Sequence, residues 1–144
     1  MTLSRTLGLA VAAALTLIVV ASPASLAGPP PGQEKDRSVE DAQAQREYDK
    51  AVTDFSAVIA VKPDHTWAYT SRGSSYSKLG EHELAIADFN KVLTLDPKNE
   101  EAYNNRGWAR KATGDQAGAC KDWNTSKRMG NAEAKIILTN NRCK

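Results

Sequence analysis

The sequence contains few of the side chains that support metal or nucleophilic chemistry. Of its 144 residues two are histidines and two are cysteines, and the histidines, His65 and His82, lie 17 positions apart. Neither has a cysteine or a pair of acids at metal-ligand spacing, so no metal or cofactor is expected, and a site with only two ligands is the weaker alternative. Ser74 and Ser75 follow a glycine, but no strand–turn–helix pattern surrounds them. The sequence therefore predicts a protein that is not an enzyme.

The sequence also lacks an excess of charge of either sign. It contains 19 Lys and Arg against 17 Asp and Glu, a formal net charge of +2, and the basic residues are scattered among acids. Because phosphate binding requires a clustered basic surface, nucleic acid is not expected as a partner. The same scattering argues against binding to an anionic membrane surface.

Long hydrophobic runs are absent except near the amino terminus. Arg5 provides a positive start, residues 7–20 form an apolar run, and Ser25 and Ala27 are small residues at the spacing that a signal peptidase requires. Residues 1–27 are therefore predicted to be a signal peptide, with cleavage after Ala24 as an alternative. A retained anchor is the competing interpretation, but the run is shorter than the roughly 20 residues that span a bilayer. We expect an exported protein, periplasmic if bacterial or otherwise secreted, without membrane association after cleavage.

What the sequence does contain is a pattern that recurs every 34 residues. The residues of the first copy are Tyr69, Arg72, Gly73, Gly80, Ala85, Asp88 and Phe89, and they return as Tyr103, Arg106, Gly107, Gly114, Ala119, Asp122 and Trp123. The segment 51–63 shows part of the same pattern one period earlier. A fixed period of this size indicates stacked units that each bury one face against the next. Such arrays are usually binding surfaces, which favours recognition over catalysis.

Apolar residues recur at helical spacing between breaks marked by Gly or Pro, and no segment alternates with period two. The sequence therefore predicts an all-α fold. Helices are expected at about 37–61, 65–79, 81–95, 100–113, 115–129 and 132–140. Asp64 and Asn99 are the expected N-caps of the second and fourth helices. Residues 28–36 are rich in Pro and Gly and are predicted to be a flexible leader.

Residues 66–99 and 100–133 resemble two tetratricopeptide repeats. The resemblance depends on helix-packing positions of the first unit, which are Tyr69, Gly73, Tyr76, Ala85, Phe89, Val92 and Pro97. It implies a domain from residue 37 to 144 that forms a short right-handed α-solenoid of helical hairpins. In the second unit Arg110 replaces a large aromatic and Asn131 replaces a proline. We therefore expect either looser packing there or an Arg110 stem on apolar surface with its charged head in water.

The two ends of the predicted array are irregular. Residues 37–65 match the repeat only in their second half, and Arg46 occupies the place of the glycine that separates the two helices of a unit. This segment is expected to be either a full hairpin or one long helix that acts as an N-terminal cap. At the other end, residues 132–144 are predicted to form a capping helix.

The resemblance also implies a concave groove, lined by the first helix of each unit, that holds an extended peptide or a partner's helix. The groove residues predicted from helical spacing are Trp67, Thr70, Ser71, Ser74, Ser77, Glu101, Asn104, Asn105, Trp108 and Lys111. Asn side chains can both donate to and accept from a peptide backbone, and Trp offers large contact area. The alternative interpretation is that the polar residues are merely solvated and that the tryptophans belong partly to the core.

Some members of the family clamp the C-terminal carboxylates of heat-shock chaperones with Lys, Arg and Asn side chains. Here Thr70 and Ser74 stand where Lys and Asn are expected, so this specialised function is not predicted. We expect an interaction module that binds a protein or peptide partner. The alternative is an assembly subunit that acts through its outer surface or through end-to-end self-association.

Cys120 and Cys143 are the only cysteines. An even number in an exported protein favours a disulfide. The predicted turn at Gly130 would also bring the two cysteines to the same end of a helix pair. Two unpaired thiols are the alternative.

Overall fold

The computed structural model describes residues 31–143, with side chains described from residue 38 onward. The predicted signal peptide and residues 28–30 lie outside this range. The helices are α1 (Pro31–Val61), α2 (Thr66–Lys78), α3 (His82–Leu95), α4 (Glu100–Ala112), α5 (Gln116–Arg128) and α6 (Ala134–Asn140). The described residues contain no strand, which confirms the all-α prediction. None of the described helices has both the length and the hydropathy that would span a bilayer.

The turns between helices follow local sequence signals. Gly80, Gly114 and Gly130 have φ values of +80°, +89° and +109°, in the left-handed region that favours glycine. Asn99 caps α4 as expected, with its Oδ1 accepting from the amide of Ala102 at 2.9 Å.

The predicted cap at Asp64 is wrong, because α2 begins at Thr66 and the cap position falls on His65. The Nδ1 atom of His65 accepts from the amide of Ala68 at 3.4 Å. His65 therefore has a structural role at the start of α2.

The first unit is one long helix rather than a hairpin, which resolves the alternative left open by the sequence. Helix α1 begins at Pro31, so the leader predicted over residues 28–36 is helical from that point. Proline is well tolerated at the first helical position, because its missing N–H would have no partner there and its φ is already helical. Residues 38–47 of α1 are exposed, and only its second half packs against α2.

Helices α2 and α3 pair as one hairpin and α4 and α5 as another, and α3 packs on α4 to join them. The cluster between the hairpins contains Tyr69, Val92, Leu93 and Ala102. A second cluster contains Ala85, Phe89 and Ala109. The third contains Ala119, Trp123 and Leu138, through which α6 covers α5. The core is therefore distributed along the stack.

A repeated ion pair crosses each hairpin. Nε and Nη2 of Arg72 donate to the two carboxylate oxygens of Asp88 at 2.8 and 2.7 Å, and Arg106 contacts Asp122 at the same two distances. Each arginine also donates from Nη1 to the preceding unit, Arg72 to Ser56 and Arg106 to Asn90. The hydrogen bond to Asp88 is the main reason that the pKa of Arg72 lies above its ordinary value. Each arginine thus connects three helices.

The charged head of Arg110 lies against an acid, so the expectation that it would be in water is wrong. Its Nη1 donates to Oδ2 of Asp122 at 2.9 Å, and its side chain is 24% exposed. Arg110 lies one helical turn after Arg106 on α4, so both guanidinium groups reach the same carboxylate. Asp122 is almost fully buried and is therefore held by two cations.

The disulfide between Cys120 and Cys143 is present, as predicted, with Cα atoms 5.4 Å apart. It joins α5 to the segment that follows α6. Nε2 of Gln116 also donates to the carbonyl of Asn141 at 2.9 Å. Together these links hold α6 over Trp123, as expected for a cap.

Gly107 lies where α4 packs against the Trp123 ring of α5, and this contact supports a prediction about stability. A Cβ at this position would lie 2.5 Å from Nε1 of Trp123, whose ring is fully buried. Overpacking costs about 1–3 kcal/mol, while the better helix propensity of alanine offsets up to about 1 kcal/mol. We expect Gly107→Ala to lower the free energy of unfolding by about 1–2 kcal/mol in urea titrations followed by circular dichroism.

Gly73→Ala is the matched control for this substitution. At the equivalent position of the first hairpin, the nearest atom to an added Cβ is 3.0 Å away, at the ring edge of Phe89. Gly73→Ala should therefore lower the free energy of unfolding by less than Gly107→Ala does. Equal stability of the two variants would contradict the steric explanation.

Candidate functional site

Two adjoining cavities lie along the first helices of the hairpins. The Trp67 cavity, of about 640 Å³, is lined by Phe55, Thr66, Trp67, Thr70, Ser71, Ser74, Asp96, Asn99 and Glu101. The Trp108 cavity, of about 220 Å³, is lined by Ser74, Ser77, Lys78, Phe89, Asn105 and Trp108. Ser74 lines both cavities, which together are called the groove below.

The structure places eight of the ten predicted groove residues in these linings. Trp67, Thr70, Ser71, Ser74 and Glu101 lie in the first cavity, and Ser77, Asn105 and Trp108 lie in the second. Their binding role stays a prediction, since lining a cavity does not by itself demonstrate binding.

Asn104 and Lys111 line neither cavity. The carbonyl oxygen of Asn104 accepts from Nε1 of Trp123 at 3.3 Å, and its side-chain oxygen is buried without a hydrogen-bond partner among the described residues. The Nζ atom of Lys111 donates to Oδ1 of Asn141 and lies 5.2 Å from the ring centroid of Trp108. Asn104 therefore contacts Trp123, and Lys111 contacts Asn141 and the Trp108 ring, but neither side chain lines a cavity.

Both groove tryptophans combine packing with exposure. Trp67 meets Phe55 edge to face at 5.1 Å between ring centroids and remains 62% exposed. Trp108 meets the buried Trp123 in the same way, also at 5.1 Å, and remains 43% exposed. Each exposed ring is thus supported by a second aromatic ring, which limits its freedom and lowers the entropy that a ligand contact would cost.

The charge of the groove changes along its length. The charged residues that line the Trp67 cavity are Asp96 and Glu101, and within residues 31–143 neither forms a salt bridge. Oδ1 of Asp96 accepts only a backbone bond from Lys98, at 3.1 Å. The Trp108 cavity contains Lys78 as its charged residue. One end of the groove is therefore acidic and the other basic.

The sequence did not indicate as groove residues Phe55, Thr66, Asp96 and Asn99 of the Trp67 cavity, nor Lys78 and Phe89 of the Trp108 cavity. Phe55 comes from α1, while Asp96 and Asn99 flank the connection between α3 and α4. The available signal was the position of Phe55 one repeat period before Phe89. Within residues 31–143 the first unit is the single helix α1, so no other helix of that unit covers the Phe55 ring. No group of three or more His, Cys, Asp or Glu suited to a metal ion occurs in the described part of the chain.

Two family models described as tetratricopeptide repeat match the chain, at residues 66–99 and 89–121. The chain contains tetratricopeptide repeats. The first match has the bounds of the first predicted repeat, whereas the second begins within α3, so the repeat boundaries at 100–133 stay a prediction. No match was found among curated proteins.

Solved tetratricopeptide repeat domains have the same fold. The Arabidopsis OM64 domain is 25% identical, with a TM-score of 0.65 over 67% of this chain and 82% of that chain. The Sgt2 domain from Aspergillus fumigatus is 27% identical, with a TM-score of 0.63 over 80% of each chain. The first such domain of Spaghetti (RPAP3), bound to an HSP90 peptide, is 28% identical, with a TM-score of 0.64 over 68% of this chain and 79% of that chain.

Proposed function

We propose that this protein is a non-enzymatic interaction module that binds an extended peptide segment of a partner protein in the groove. The observation that carries the proposal is the pair of adjoining cavities, each with an exposed and internally supported tryptophan. Aromatic anchors of this kind dominate binding energy at protein interfaces. Among similar structures, the Spaghetti domain binds an HSP90 peptide and the second human RPAP3 domain binds an HSP70 peptide.

An exported location is part of the proposal. It is supported by the predicted signal peptide and by the disulfide at the end of the array, because disulfides persist in oxidising compartments.

Removing the groove anchors tests the function. The double variant Asn105→Ala, Trp108→Ala should keep its helical circular dichroism but bind partners at least about tenfold more weakly, as expected for loss of an interface anchor. Partners would be isolated from the exported fraction by affinity capture, identified by mass spectrometry, and their affinities measured with purified components.

Leu84→Ala is the matched control, since Leu84 on α3 has an exposure similar to that of Trp108 and lines neither cavity. Its affinity should equal that of the unaltered protein. If the groove variant bound the purified partner as tightly as this control, the groove would not be the binding site.

A second candidate is an assembly subunit that associates through α1. An apolar hollow of about 410 Å³ is lined by Ala57, Val58, Val61, Lys62 and His65, and Val61 is 80% exposed. Exposed apolar surface of this kind often marks an interface. Concentration-dependent association that Val61→Asp abolishes, together with unchanged partner capture by the groove variant, would favour this function.

A further inference from the structure

We propose that the Trp67 cavity accepts a lysine or arginine side chain of the bound peptide, so that the ligand is a basic segment. This inference rests on the proposed function, because it specifies which peptides the groove selects. It is carried by the charge of the cavity, by the exposed Trp67 ring, and by the contrast with the acidic peptides that similar domains bind.

The charge of the cavity favours a cation. Asp96 and Glu101 contribute two carboxylates to the lining, which contains no lysine or arginine. Lys98 lies in an adjoining hollow that shares both acids, but within residues 31–143 it forms a salt bridge with neither. The amino-terminal turns of α2 and α4 also border the cavity, and each helix end carries a partial charge of roughly +0.5. Two full negative charges outweigh these two partial charges. Side-chain caps from His65 and Asn99 already occupy one amide at each helix end.

The aromatic wall gives the cation a second partner. The indole is the aromatic group that binds cations best, and a contact within about 6 Å of its centroid is favourable. Phe55 packs edge to face on Trp67, so the ring is held at the cavity wall while most of its surface stays exposed. Lys and Arg combine an apolar stem with a charged head, which matches a wall of indole beside carboxylates.

The same charges disfavour an acidic peptide. The peptides in the two RPAP3 complexes, SRMEEVD and SGPTIEEVD, both end in Glu-Glu-Val-Asp. A peptide carboxylate in the Trp67 cavity would face Asp96 and Glu101 without an intervening cation from the lining. The negative charges of the peptide and of the cavity would repel each other. We therefore expect a shared fold with the opposite charge preference.

Selection from a random peptide library displayed on phage tests the inference. Three mature proteins would be compared: the unaltered chain, the double variant Asp96→Asn, Glu101→Gln, and the control Glu83→Gln, which removes an exposed acid in the first turn of α3. The unaltered and control proteins should enrich peptides with a recurrent Lys or Arg. The double variant should still enrich peptides but lose that preference.

Affinity measurements on one enriched peptide then isolate the interaction. The labelled peptide and a version with norleucine in place of its basic residue would be titrated against each protein by fluorescence anisotropy. We expect the double variant to bind the basic peptide about three- to tenfold more weakly, and the norleucine peptide with unchanged affinity. Added salt should lower the affinity of the basic peptide but not that of the norleucine peptide, because salt screens partly exposed charges.

The outcomes separate this inference from the proposed function. Enriched peptides that depend on Trp108 but show no basic preference, or that end in acids, would overturn the inference and leave the groove function standing. Equal losses for the basic and norleucine peptides would overturn it as well. If no peptide were enriched on the unaltered protein, peptide binding by the groove would fail, and the inference with it.

Discussion

Replacing Asp122 with alanine is expected to lower the free energy of unfolding by about 3–5 kcal/mol. The Asp122 side chain is 2% exposed and accepts hydrogen bonds from Arg106 and Arg110. Its removal leaves Arg106 without its anion and Arg110 with only the longer pair to Asp115, at 3.7 Å. Removing one partner of a buried ion pair is strongly destabilising, and this single substitution breaks two such pairs. Urea unfolding followed by circular dichroism measures the loss.

The equivalent substitution in the first hairpin is the matched control. Asp88→Ala breaks one ion pair, with Arg72, instead of two, so a smaller loss is expected. Each arginine keeps its bond to the preceding unit in both variants, so that bond does not contribute to the difference. Asp54→Ala removes an acid from the exposed pair with Lys50 and should change stability little. If the Asp122 variant were as stable as the Asp88 variant or more stable, the pair between Arg110 and Asp122 would not contribute to stability.

Loss of the disulfide is expected to cost about 3 kcal/mol, because reopening the loop between Cys120 and Cys143 restores chain entropy to the unfolded state. Helix α6 has 7 residues, too few to be stable alone, and it covers Trp123 through Leu138. The double variant Cys120→Ser, Cys143→Ser should unfold at lower urea concentration than the oxidised protein. Hydrogen exchange should be faster in α6 than in α2.

The reduced protein provides the matching condition. A reducing agent should bring the unaltered chain close to the double serine variant and leave the variant itself unchanged. Coincident unfolding curves for oxidised and reduced protein would show that the bond does not hold the cap, and that the packing of Leu138 and the contacts of Asn141 suffice.

Local signals explain why so much of the fold could be predicted. Gly80, Gly114 and Gly130 end helices because the required backbone conformation is left-handed, a property that depends on one residue and its neighbours. The repeat then placed each helix relative to the next, because the same side chains pack at the same interval. The start of α1 at Pro31 was missed, because composition alone does not distinguish a proline that begins a helix from one that prevents it.

The contacts between helices could not be predicted in the same way. The recurrence of Arg72 and Asp88 one period later showed that these residues matter to each unit, but not that they touch. Because Arg110 departs from the repeat, the sequence predicts either looser packing or a charged head in water, whereas the structure places its guanidinium on a carboxylate that already binds Arg106. Two arginines share the Asp122 carboxylate because of where α4 and α5 meet. The spacing of residues along one helix carries no information about that contact.

In the groove, too, features set by one helix could be predicted and contacts between elements could not. Helical spacing placed Trp67 and Trp108 correctly because both lie on the first helices of their units. Phe55 and Asp96 were not predicted because they lie outside those helices, Phe55 on α1 and Asp96 at the end of α3. Lys111 lies on the expected helix, but its bond to Asn141 depends on the position of α6, which follows from tertiary packing.

The two ends of the stack differ in a way that limits how copies of this chain could associate. Helix α6, which the disulfide at Cys143 holds to α5, covers one end, while at the other end no residue from 31 to 143 covers Val61 and the apolar hollow beside it. Growth into a filament requires two different surfaces that complement each other, whereas one surface that meets its own copy closes around a two-fold axis. Any pairing through α1 alone would therefore stop at a dimer.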